Sequence, residues 1–500
     1  MRPFVCAALL SAASLPVLAA SCESLSSLQL PDAKITLAET VAAGAFAPPN
    51  GHGGQGGVNP YESVPAFCRV SATLTPSSDS DIKIEVWLPT SGWNQKFQAV
   101  GNGGWAGVIS YSALAEGVKN GYATASTDTG HAGNGGSFVL GHPEKLIDFS
   151  WRSEHEMTVT GKAIVAAFYG NAAKRSYWNG CSTGGRQALK EAQKFPDDFD
   201  GIIAGAPANR NLTSFWDGVL MFKEQGNQVP SSKFPMLHQA VLDACDAKDG
   251  LKDGLIADPR KCDFDPAVLL CEGEDSPTCL TAKQVETVRR LYEPVTDPRT
   301  GRQLGPALPR GSELGWTFMG NGPDPYAVGL DQLKFVVFKD PSWDWHSFDL
   351  VRDGERYWAA ENLPMNATDP NMQTFFAHKG KLLIYQGFAD PQVSPFQTIG
   401  YYQDVVDNLG GPAKASSNVR LFLAPGMGHC GGGDGPNDFD KISALDRWVE
   451  NSEAPQTMLA SQRVKGKVTR TRPLCAFPQT AVYKGSGSVD DAANFSCRGQ

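Results

Sequence analysis

A serine in a short glycine-rich segment is the residue of this chain best placed to act as a nucleophile. Ser182 lies in the segment GCSTGG at positions 180–185, after a strand-like run (175–179) and before a helix-like run (186–194). Glycines permit the sharp, strained turn from strand to helix that lifts a serine hydroxyl clear of a sheet. The spacing therefore predicts a nucleophile elbow.

A serine hydroxyl needs a base to remove its proton, and the base needs a group that orients it. In chains with an elbow of this kind, the acid follows the serine in sequence and the histidine follows the acid. Each lies in a loop after a later strand. Asp390 follows the strand-like run 381–385, and His429 follows the run 418–424. We predict a catalytic triad of Ser182, Asp390 and His429. Four other histidines follow no late strand and are assigned to packing or to loops: His131, His155, His346 and His378.

Two cysteines adjoin the predicted triad. Cys181 precedes Ser182, and Cys430 follows His429. A disulfide between them would tie the loop of the nucleophile to the loop of the base and restrict their relative motion. The alternative is a pair of unrelated buried thiols, which is uncommon in an exported chain.

Acyl transfer also requires hydrogen-bond donors for the tetrahedral oxyanion. The backbone N–H of Thr183, directly after the nucleophile, is one predicted donor. The second is expected from the loop after the third strand, at Gly103 or Gly104, where the backbone can approach closely. The sequence does not choose between these glycines, and a flexible turn is the alternative.

Composition restricts the class of protein. The 500 residues are 41% hydrophobic and 19% charged, with a formal net charge of -9, so a nucleic-acid partner is not expected. Residues 1–20 combine an early arginine, an apolar run and a closing Ala-Ala, which predicts a cleaved signal peptide. No later apolar stretch is long enough to span a bilayer. We predict a secreted or periplasmic protein without a membrane partner.

Strands that alternate with helices predict an α/β fold with a mostly parallel central sheet. Together with the elbow, this pattern indicates an α/β-hydrolase fold. Its catalytic domain is predicted at residues 21–205 and 380–500, beginning with a loop-like segment up to about residue 60. Residues 206–379 lack the alternation and are interpreted as a large inserted lid domain.

The chain has 11 cysteines, and Cys6 leaves with the signal peptide. The remaining ten form an even set suited to an oxidising compartment, and no spacing typical of a zinc site is present. Local spacing suggests three pairs: Cys245 with Cys262, Cys271 with Cys279, and Cys475 with Cys497. Four cysteines remain after these: Cys22, Cys68, Cys181 and Cys430.

The lid contains an acidic loop at residues 245–258. Asp246, Asp249 and Asp253 would repel one another there unless a hard cation compensated their charge. Calcium favours such oxygen-rich loops and would complete its shell with backbone carbonyls, here those of Leu251 and Leu255. A solvated acidic turn is the alternative. The predicted disulfide around the loop favours a structural calcium site.

The pattern Cys-Ser…Asp…His-Cys with an acidic loop in a large lid resembles the tannase and feruloyl esterase family. A hydrolase of the mono-ester released from polyethylene terephthalate is a relative there. The resemblance implies the same triad, the same triad-linking disulfide and the same calcium ligands. It also implies a fifth disulfide between Cys22 and Cys68. Members often have a histidine four residues before the acid; this chain has Gln386.

The resemblance implies a serine esterase that acts, through an acyl-enzyme, on a small or plant-polymer-linked aromatic ester. A feruloyl or related hydroxycinnamoyl ester is the first expectation, a galloyl ester the second and a terephthalate mono-ester the third. Five lid tryptophans could stack on a phenolic ring or form the lid's own core: Trp216, Trp316, Trp343, Trp345 and Trp358.

Two readings of a different class remain open. The first is a catalytically inactive protein that binds a polymer or carbohydrate. Measurable turnover of a phenyl ester would exclude this hypothesis. The second is a hydrolase that uses a metal ion in the acidic loop, for which chelation would stop the reaction at once.

Overall fold

The computed structural model describes residues 21–49, 59–210, 212–320, 322–359 and 363–499. The predicted signal peptide, Cys6 and the glycine-rich segment 51–57 lie outside these described residues.

The strands of the described chain form one large sheet and three small ones. In chain order they are β1 (Ala33–Val41), β2 (Phe67–Leu74), β3 (Ile82–Pro89), β4 (Lys96–Val100), β5 (Ala123–Thr127), β6 (Arg175–Cys181), β7 (Gly201–Gly205), β8 (Val295–Thr296), β9 (Gln303–Gly305), β10 (Lys381–Gly387), β11 (Val419–Ala424), β12 (Asp438–Phe439), β13 (Thr457–Val464), β14 (Lys467–Cys475), β15 (Thr480–Tyr483) and β16 (Phe495–Arg498).

The large sheet has nine strands in the order β1-β2-β3-β5-β4-β6-β7-β10-β11. From β5 to β11 every neighbouring pair is parallel. The first three strands and their junction with β5 are antiparallel. The predicted α/β class with a mostly parallel sheet is confirmed.

The α-helices lie between and around these strands. In chain order they are α1 (Tyr111–Lys119), α2 (Pro143–Ile147), α3 (Ser153–Tyr169), α4 (Thr183–Lys194), α5 (Leu212–Phe222), α6 (Phe234–Cys245), α7 (Ala282–Leu291), α8 (Thr317–Gly320), α9 (Ala327–Asp331), α10 (Leu350–Ala359), α11 (Gln373–Ala377), α12 (Pro395–Asn408), α13 (Pro412–Ala415) and α14 (Lys441–Asn451).

Both faces of the large sheet are covered because successive side chains of a strand point to opposite sides. In β7, Ile202 packs in a core cluster with residues of α3, α4 and α12. Its neighbour Ile203 packs in a second cluster with Leu445 and Trp448 of α14. A run of consecutive apolar residues, as in this strand, is typical of a strand buried on both faces.

Residues 206–379 hold helices α5 to α11 and the hairpin β8–β9. Within the described part of this segment, no residue joins the nine-stranded sheet. The segment has hydrophobic clusters of its own, one of them centred on Trp316 and Phe234. The division of the chain into a catalytic and a lid domain at residues 206 and 379 stays a prediction.

One sequence-based expectation about the start of the mature chain is wrong. The segment up to about residue 60 is not only loop, because residues 33–41 form β1, antiparallel to β2. A shift of register near Ile35 interrupts the alternation of exposed and half-buried residues, which hides the strand signal. The segment after α14, for which no elements were predicted, forms β13 to β16.

All five disulfides expected from spacing and resemblance are present. They join Cys22 to Cys68, Cys181 to Cys430, Cys245 to Cys262, Cys271 to Cys279 and Cys475 to Cys497. In the described ranges, none of the helices has the length and apolar character needed to cross a bilayer.

Candidate active site

Ser182 lies at the turn between β6 and α4, with a φ of 62° and a ψ of -120°. This is a strained conformation for a residue with a side chain and is found mainly where function requires it. The neighbouring glycines are required by space. A Cβ at Gly180 would lie 2.4 Å from the carbonyl oxygen of Gly184, and one at Gly185 would lie 2.2 Å from that of Gly205. The segment has the geometry of the predicted elbow.

Backbone hydrogen bonds hold the strained serine in place. Its N–H donates to the carbonyl oxygen of Gly205 at 3.0 Å, and the N–H of Ala208 donates to the carbonyl oxygen of Ser182 at 3.1 Å. Both partners belong to the end of β7 and the turn after it. The elbow is therefore fixed by the neighbouring strand as well as by its own helix.

Asp390 and His429 lie in the loops after β10 and β11, and they are in contact. The Nδ1–H of His429 donates to Oδ2 of Asp390 at 2.8 Å. The second carboxylate oxygen accepts the backbone N–H groups of Gln392 at 2.8 Å and Val393 at 3.0 Å. The carboxylate is fully buried. These bonds fix one orientation of the imidazole and direct its other nitrogen away from the acid.

Gln386, four residues before Asp390, is a buried part of this arrangement. Its Nε2 donates to Oδ2 of Asp390 at 2.8 Å and to the carbonyl oxygen of Val393 at 3.0 Å. Its Oε1 accepts from the hydroxyl of Thr398 at 2.8 Å. No role was assigned to Gln386 from the sequence, whereas the structure makes it a support of the acid.

The disulfide between Cys181 and Cys430 joins the two loops directly beside Ser182 and His429. The hydrogen bonds of the described residues do not include one from Ser182 Oγ to the imidazole. Catalytic hydrogen bonds are often long without substrate and tighten in the complex. We expect this contact to form when substrate binds, and the catalytic roles of the three residues stay a prediction.

The predicted oxyanion donors meet at the start of α4. Thr183 is the first residue of this helix, so its N–H has no partner within the helix. Its hydroxyl donates to the carbonyl oxygen of Gly104 at 3.0 Å. The N–H of Gly184 donates to the carbonyl oxygen of Asn102 at 2.8 Å. A Cβ at Gly103 would meet nothing within 4 Å, so this side of the loop faces open space.

Asn102 is a support of the oxyanion loop that sequence reasoning missed. Its amide donates to the carbonyl oxygens of Thr127 at 2.8 Å and Val108 at 3.0 Å. Its backbone N–H donates to Oε1 of Gln187 in α4 at 3.0 Å. A buried asparagine within a glycine-rich loop was the available signal, because such a side chain must satisfy its amide inside the protein.

A cleft of about 370 Å³ adjoins His429. Its lining from the lid includes Leu314 and Phe318, and its lining from the loop after β10 includes Ala389 and Pro391. None of the five lid tryptophans is among the described residues that line this cleft, and the alternative of a place in the lid's own core applies to at least one of them. Trp316, for example, is fully buried in the lid's core.

An ion-pair network connects the lid to the loop that carries His429. His238 of α6 contacts Glu313 through Nδ1 at 2.7 Å and Asp434 through Nε2 at 3.2 Å. Glu313 also accepts the hydroxyl of Tyr292 at 2.6 Å. Burial alone would lower the pKa of His238, but the hydrogen bonds to Asp434 and Glu313 outweigh burial and raise this pKa to about 9.

The acidic loop of the lid holds the three predicted carboxylates without bringing one oxygen of each within 4.8 Å of the other two, and part of its charge is compensated. Asp253 pairs with Arg472 of β14 at 2.6 Å. Asp246 accepts the backbone N–H groups of Asp253 at 3.2 Å and Gly254 at 2.9 Å. Burial and the neighbouring Asp253 and Asp246 carboxylates raise the pKa of Asp249. Three carboxylates against one guanidinium leave negative charge in excess, which suits a hard cation.

The sheet order, the elbow and the acid–histidine pair define an α/β-hydrolase. The family model described as tannase and feruloyl esterase matches residues 68–321 and 334–498. The chain belongs to this family and is a carboxylic ester hydrolase.

Relatives of known name support this membership. The chain is 38% identical over 534 residues to an uncharacterised esterase from Xanthomonas campestris pv. campestris, covering 96% of this chain and 91% of the relative. It is 34% identical over 455 residues to a probable feruloyl esterase B-1 from Aspergillus fumigatus, covering 86% and 85%.

Solved structures of other esterases have the same fold as this chain. The crystal structure of feruloyl esterase B from Aspergillus oryzae superposes with a TM-score of 0.88 at 32% identity, covering 95% of this chain and 99% of that one. A tannin acyl hydrolase from Aspergillus niger has the same fold, with a TM-score of 0.77 at 22% identity and coverages of 95% and 93%.

Proposed function

We propose that this chain is an exported serine esterase that releases hydroxycinnamic acids of the feruloyl type from their esters. The observation that carries the mechanism is the contact between His429 and Asp390, tethered through Cys430 and Cys181 to the strained Ser182. This arrangement supplies a nucleophile, a base and an orienting acid at one edge of the sheet.

In the first half-reaction, Nε2 of His429 takes the proton of Ser182 Oγ as the oxygen attacks the ester carbonyl. Asp390 keeps the proton of Nδ1 in place and stabilises the imidazolium that forms. The N–H of Thr183, together with that of Gly103 or Gly104, stabilises the oxyanion. The imidazolium then protonates the leaving alcohol, and the acyl group remains on the serine.

In the second half-reaction, water replaces the alcohol. His429 takes a proton from the water as its oxygen attacks the acyl carbon, and a second oxyanion forms in the same site. The bond to Ser182 Oγ then breaks, the serine recovers its proton from the imidazolium, and the aromatic acid leaves. One ester and one water give one acid and one alcohol.

The lining of the cleft combines apolar side chains, which suit an aromatic ring, with the polar side chains of Thr317 and Gln392. The apolar contacts come from Leu314, Phe318, Ala389 and Pro391. The relatives from Aspergillus fumigatus and Aspergillus oryzae are named feruloyl esterases, which supports the same acid class.

Calcium is proposed as a structural ion of the lid. Asp246, Asp249 and Asp253, with the carbonyls of Leu251 and Leu255, would hold it, and the ion would neutralise the excess negative charge of the loop. Export is proposed from the leader-like residues 1–20 and from the disulfides, which persist in oxidising compartments.

The test is a comparison of kcat/KM for methyl ferulate and methyl gallate, with Ser182→Ala as the control for the nucleophile. We expect ferulate to be preferred and the variant to lose turnover of both esters. A preference for gallate would keep the mechanism and replace the proposed acid class by the galloyl one. Full activity of Ser182→Ala would contradict the mechanism.

A further inference from the structure

A second group of candidate metal ligands lies on the helices behind the elbow. It consists of His155 in the first turn of α3, Glu191 in the last turn of α4 and Asp198 in the loop before β7. One candidate ligand atom from each lies within 4.8 Å of the other two. Among the described residues, this group has ligand atoms within that distance of one another. The three aspartates of the lid loop do not.

Glu191 has no partner that explains its position. The residue is 1% exposed, and neither carboxylate oxygen has a hydrogen-bond partner within the described part of the chain. Buried polar groups are almost always hydrogen-bonded, and a buried charge without compensation is costly. A buried carboxylate beside an imidazole and a second carboxylate is therefore an arrangement that suits a bound cation.

Lys162 acts on Glu191 through its charge but compensates it only in part. Nζ of Lys162 donates to the backbone carbonyl oxygen of Asp198, not to a carboxylate of the cluster. Burial, and then the carboxylates of Asp198 and Glu154, raise the pKa of Glu191 well above its ordinary value. The only other way to relieve this repulsion is a proton on Glu191, which a metal ion would replace.

We propose that His155, Glu191 and Asp198 bind a divalent transition-metal ion of the zinc type. One imidazole nitrogen and two carboxylate oxygens are ligands that Zn²⁺ accepts, and water would complete a tetrahedral shell. At present Nδ1 of His155 and Oδ2 of Asp198 are 2.7 Å apart in a hydrogen bond. Metal binding exchanges this bond for two metal–ligand bonds and displaces any proton held by the cluster.

The site would be structural and distant from the reacting atoms. Helix α4 begins directly after Ser182, and Glu191 lies eight residues beyond its first residue, which is ~12 Å along the helix axis. An ion there would join the far end of the nucleophile's helix to the start of α3. We therefore expect it to raise thermal stability and to leave the kinetics of ester cleavage unchanged at moderate temperature.

The experiment uses the mature, disulfide-bonded protein, stripped with a chelator and then saturated with Ca²⁺ so that the lid loop is occupied. Zn²⁺ is titrated by calorimetry, and Co²⁺ is titrated by visible absorption, which reports a tetrahedral site. We expect one equivalent of each ion to bind and the melting temperature to rise. Loss of an outer-shell partner typically lowers metal affinity by roughly 10–100-fold. In Glu191→Gln, which loses a direct ligand, the affinity for Zn²⁺ should fall by more than that.

His155→Gln is a second variant, at a half-buried position that tolerates substitution more readily than Glu191. Asp197→Asn is the matched control, because this exposed neighbour pairs with His378 outside the cluster. We expect Asp197→Asn to bind both ions as the wild type does. The proposal is overturned if the wild type binds neither ion. It is equally overturned if His155→Gln binds Zn²⁺ with unchanged affinity, or if Asp249→Asn in the lid abolishes the binding.

Discussion

Cys181 and Cys430 are joined by a disulfide although 249 positions separate them in the sequence. Each is the immediate neighbour of a residue of the proposed triad. The bond therefore fixes the distance between the loop of the nucleophile and the loop of the base, which otherwise depends on the packing of separate strands.

Replacing both cysteines by serine should lower kcat more than it changes KM. A displacement of about 1 Å between Ser182 and His429 is enough for a loss on the order of 100-fold. The free energy of unfolding should also fall, by about 2–5 kcal/mol. Steady-state kinetics at 25 °C and denaturant unfolding measure the two effects.

The matched control is the double serine variant of Cys22 and Cys68, whose bond lies among the antiparallel strands far from the triad. It should lose stability and keep kcat. Equal losses of kcat in the two double variants would contradict a specific role for the bond beside the triad.

Gln386 is predicted to position Asp390 for catalysis. Gln386→Met keeps the volume and removes the N–H that donates to the carboxylate, and a hydrogen bond to a charged group contributes about 1.5–3 kcal/mol. We expect kcat to fall by roughly 10–100-fold, with KM little changed. Thr398→Val, which removes the bond on the other end of the same amide, should cost stability with a smaller loss of kcat. A change confined to stability in both variants would mean that Gln386 has only a structural role.

The lid should loosen as the pH rises, because of His238. Its pKa in the folded protein is about 9, against about 6.5 in an unfolded chain. The stabilisation is thus fully present below about pH 6.5 and is lost as the pH rises through about 9. It amounts to at most about 3 kcal/mol. The facing groups are Glu313 and Asp434, and Tyr292 stays protonated because its pKa is raised well above the ordinary value.

Denaturant unfolding at several pH values between 6 and 9.5 checks this prediction. In His238→Gln the decline across this window should become shallower, since the titrating group is gone. An unchanged slope in the variant would show that other groups cause the loss.

Removal of calcium should lower thermal stability before it affects the reaction. An ion present at about 100 times its Kd stabilises the folded state by about 2.7 kcal/mol. A chelator should therefore lower the melting temperature while turnover at 25 °C continues. Asp249→Asn should melt at the lower temperature with or without added Ca²⁺. Immediate loss of turnover on chelation would favour a metal ion that takes part in the chemistry.

The sequence predicted the elements of the sheet well because their apolar runs are regular and their ends are marked by glycines. The strand-like runs 175–179, 381–385 and 418–424 correspond to β6, β10 and β11, with bounds that differ by two residues at most. The acid and histidine could be placed because the order of strands determines which loops meet at the carboxyl edge of a parallel sheet.

The residues that support the site were harder to find, since their partners are distant in sequence. Gln386 is a polar residue near the end of β10, and only the fold shows that its amide contacts Asp390. His238 and Asp434 lie almost two hundred positions apart and meet only when the lid packs on the catalytic loops. For the lid tryptophans the sequence left two alternatives open, because an aromatic residue in a lid can stack on a substrate or pack in the lid's own core.

The central claim is that Ser182 carries the acyl group. An activated aryl ester of ferulic acid is mixed with the enzyme, the reaction is quenched in acid within milliseconds, and the protein is digested and analysed by mass spectrometry. We predict a feruloyl group on the peptide that contains Ser182, and none in His429→Ala or Ser182→Ala. A feruloyl group on another residue, or rapid turnover by the serine variant, would contradict the account.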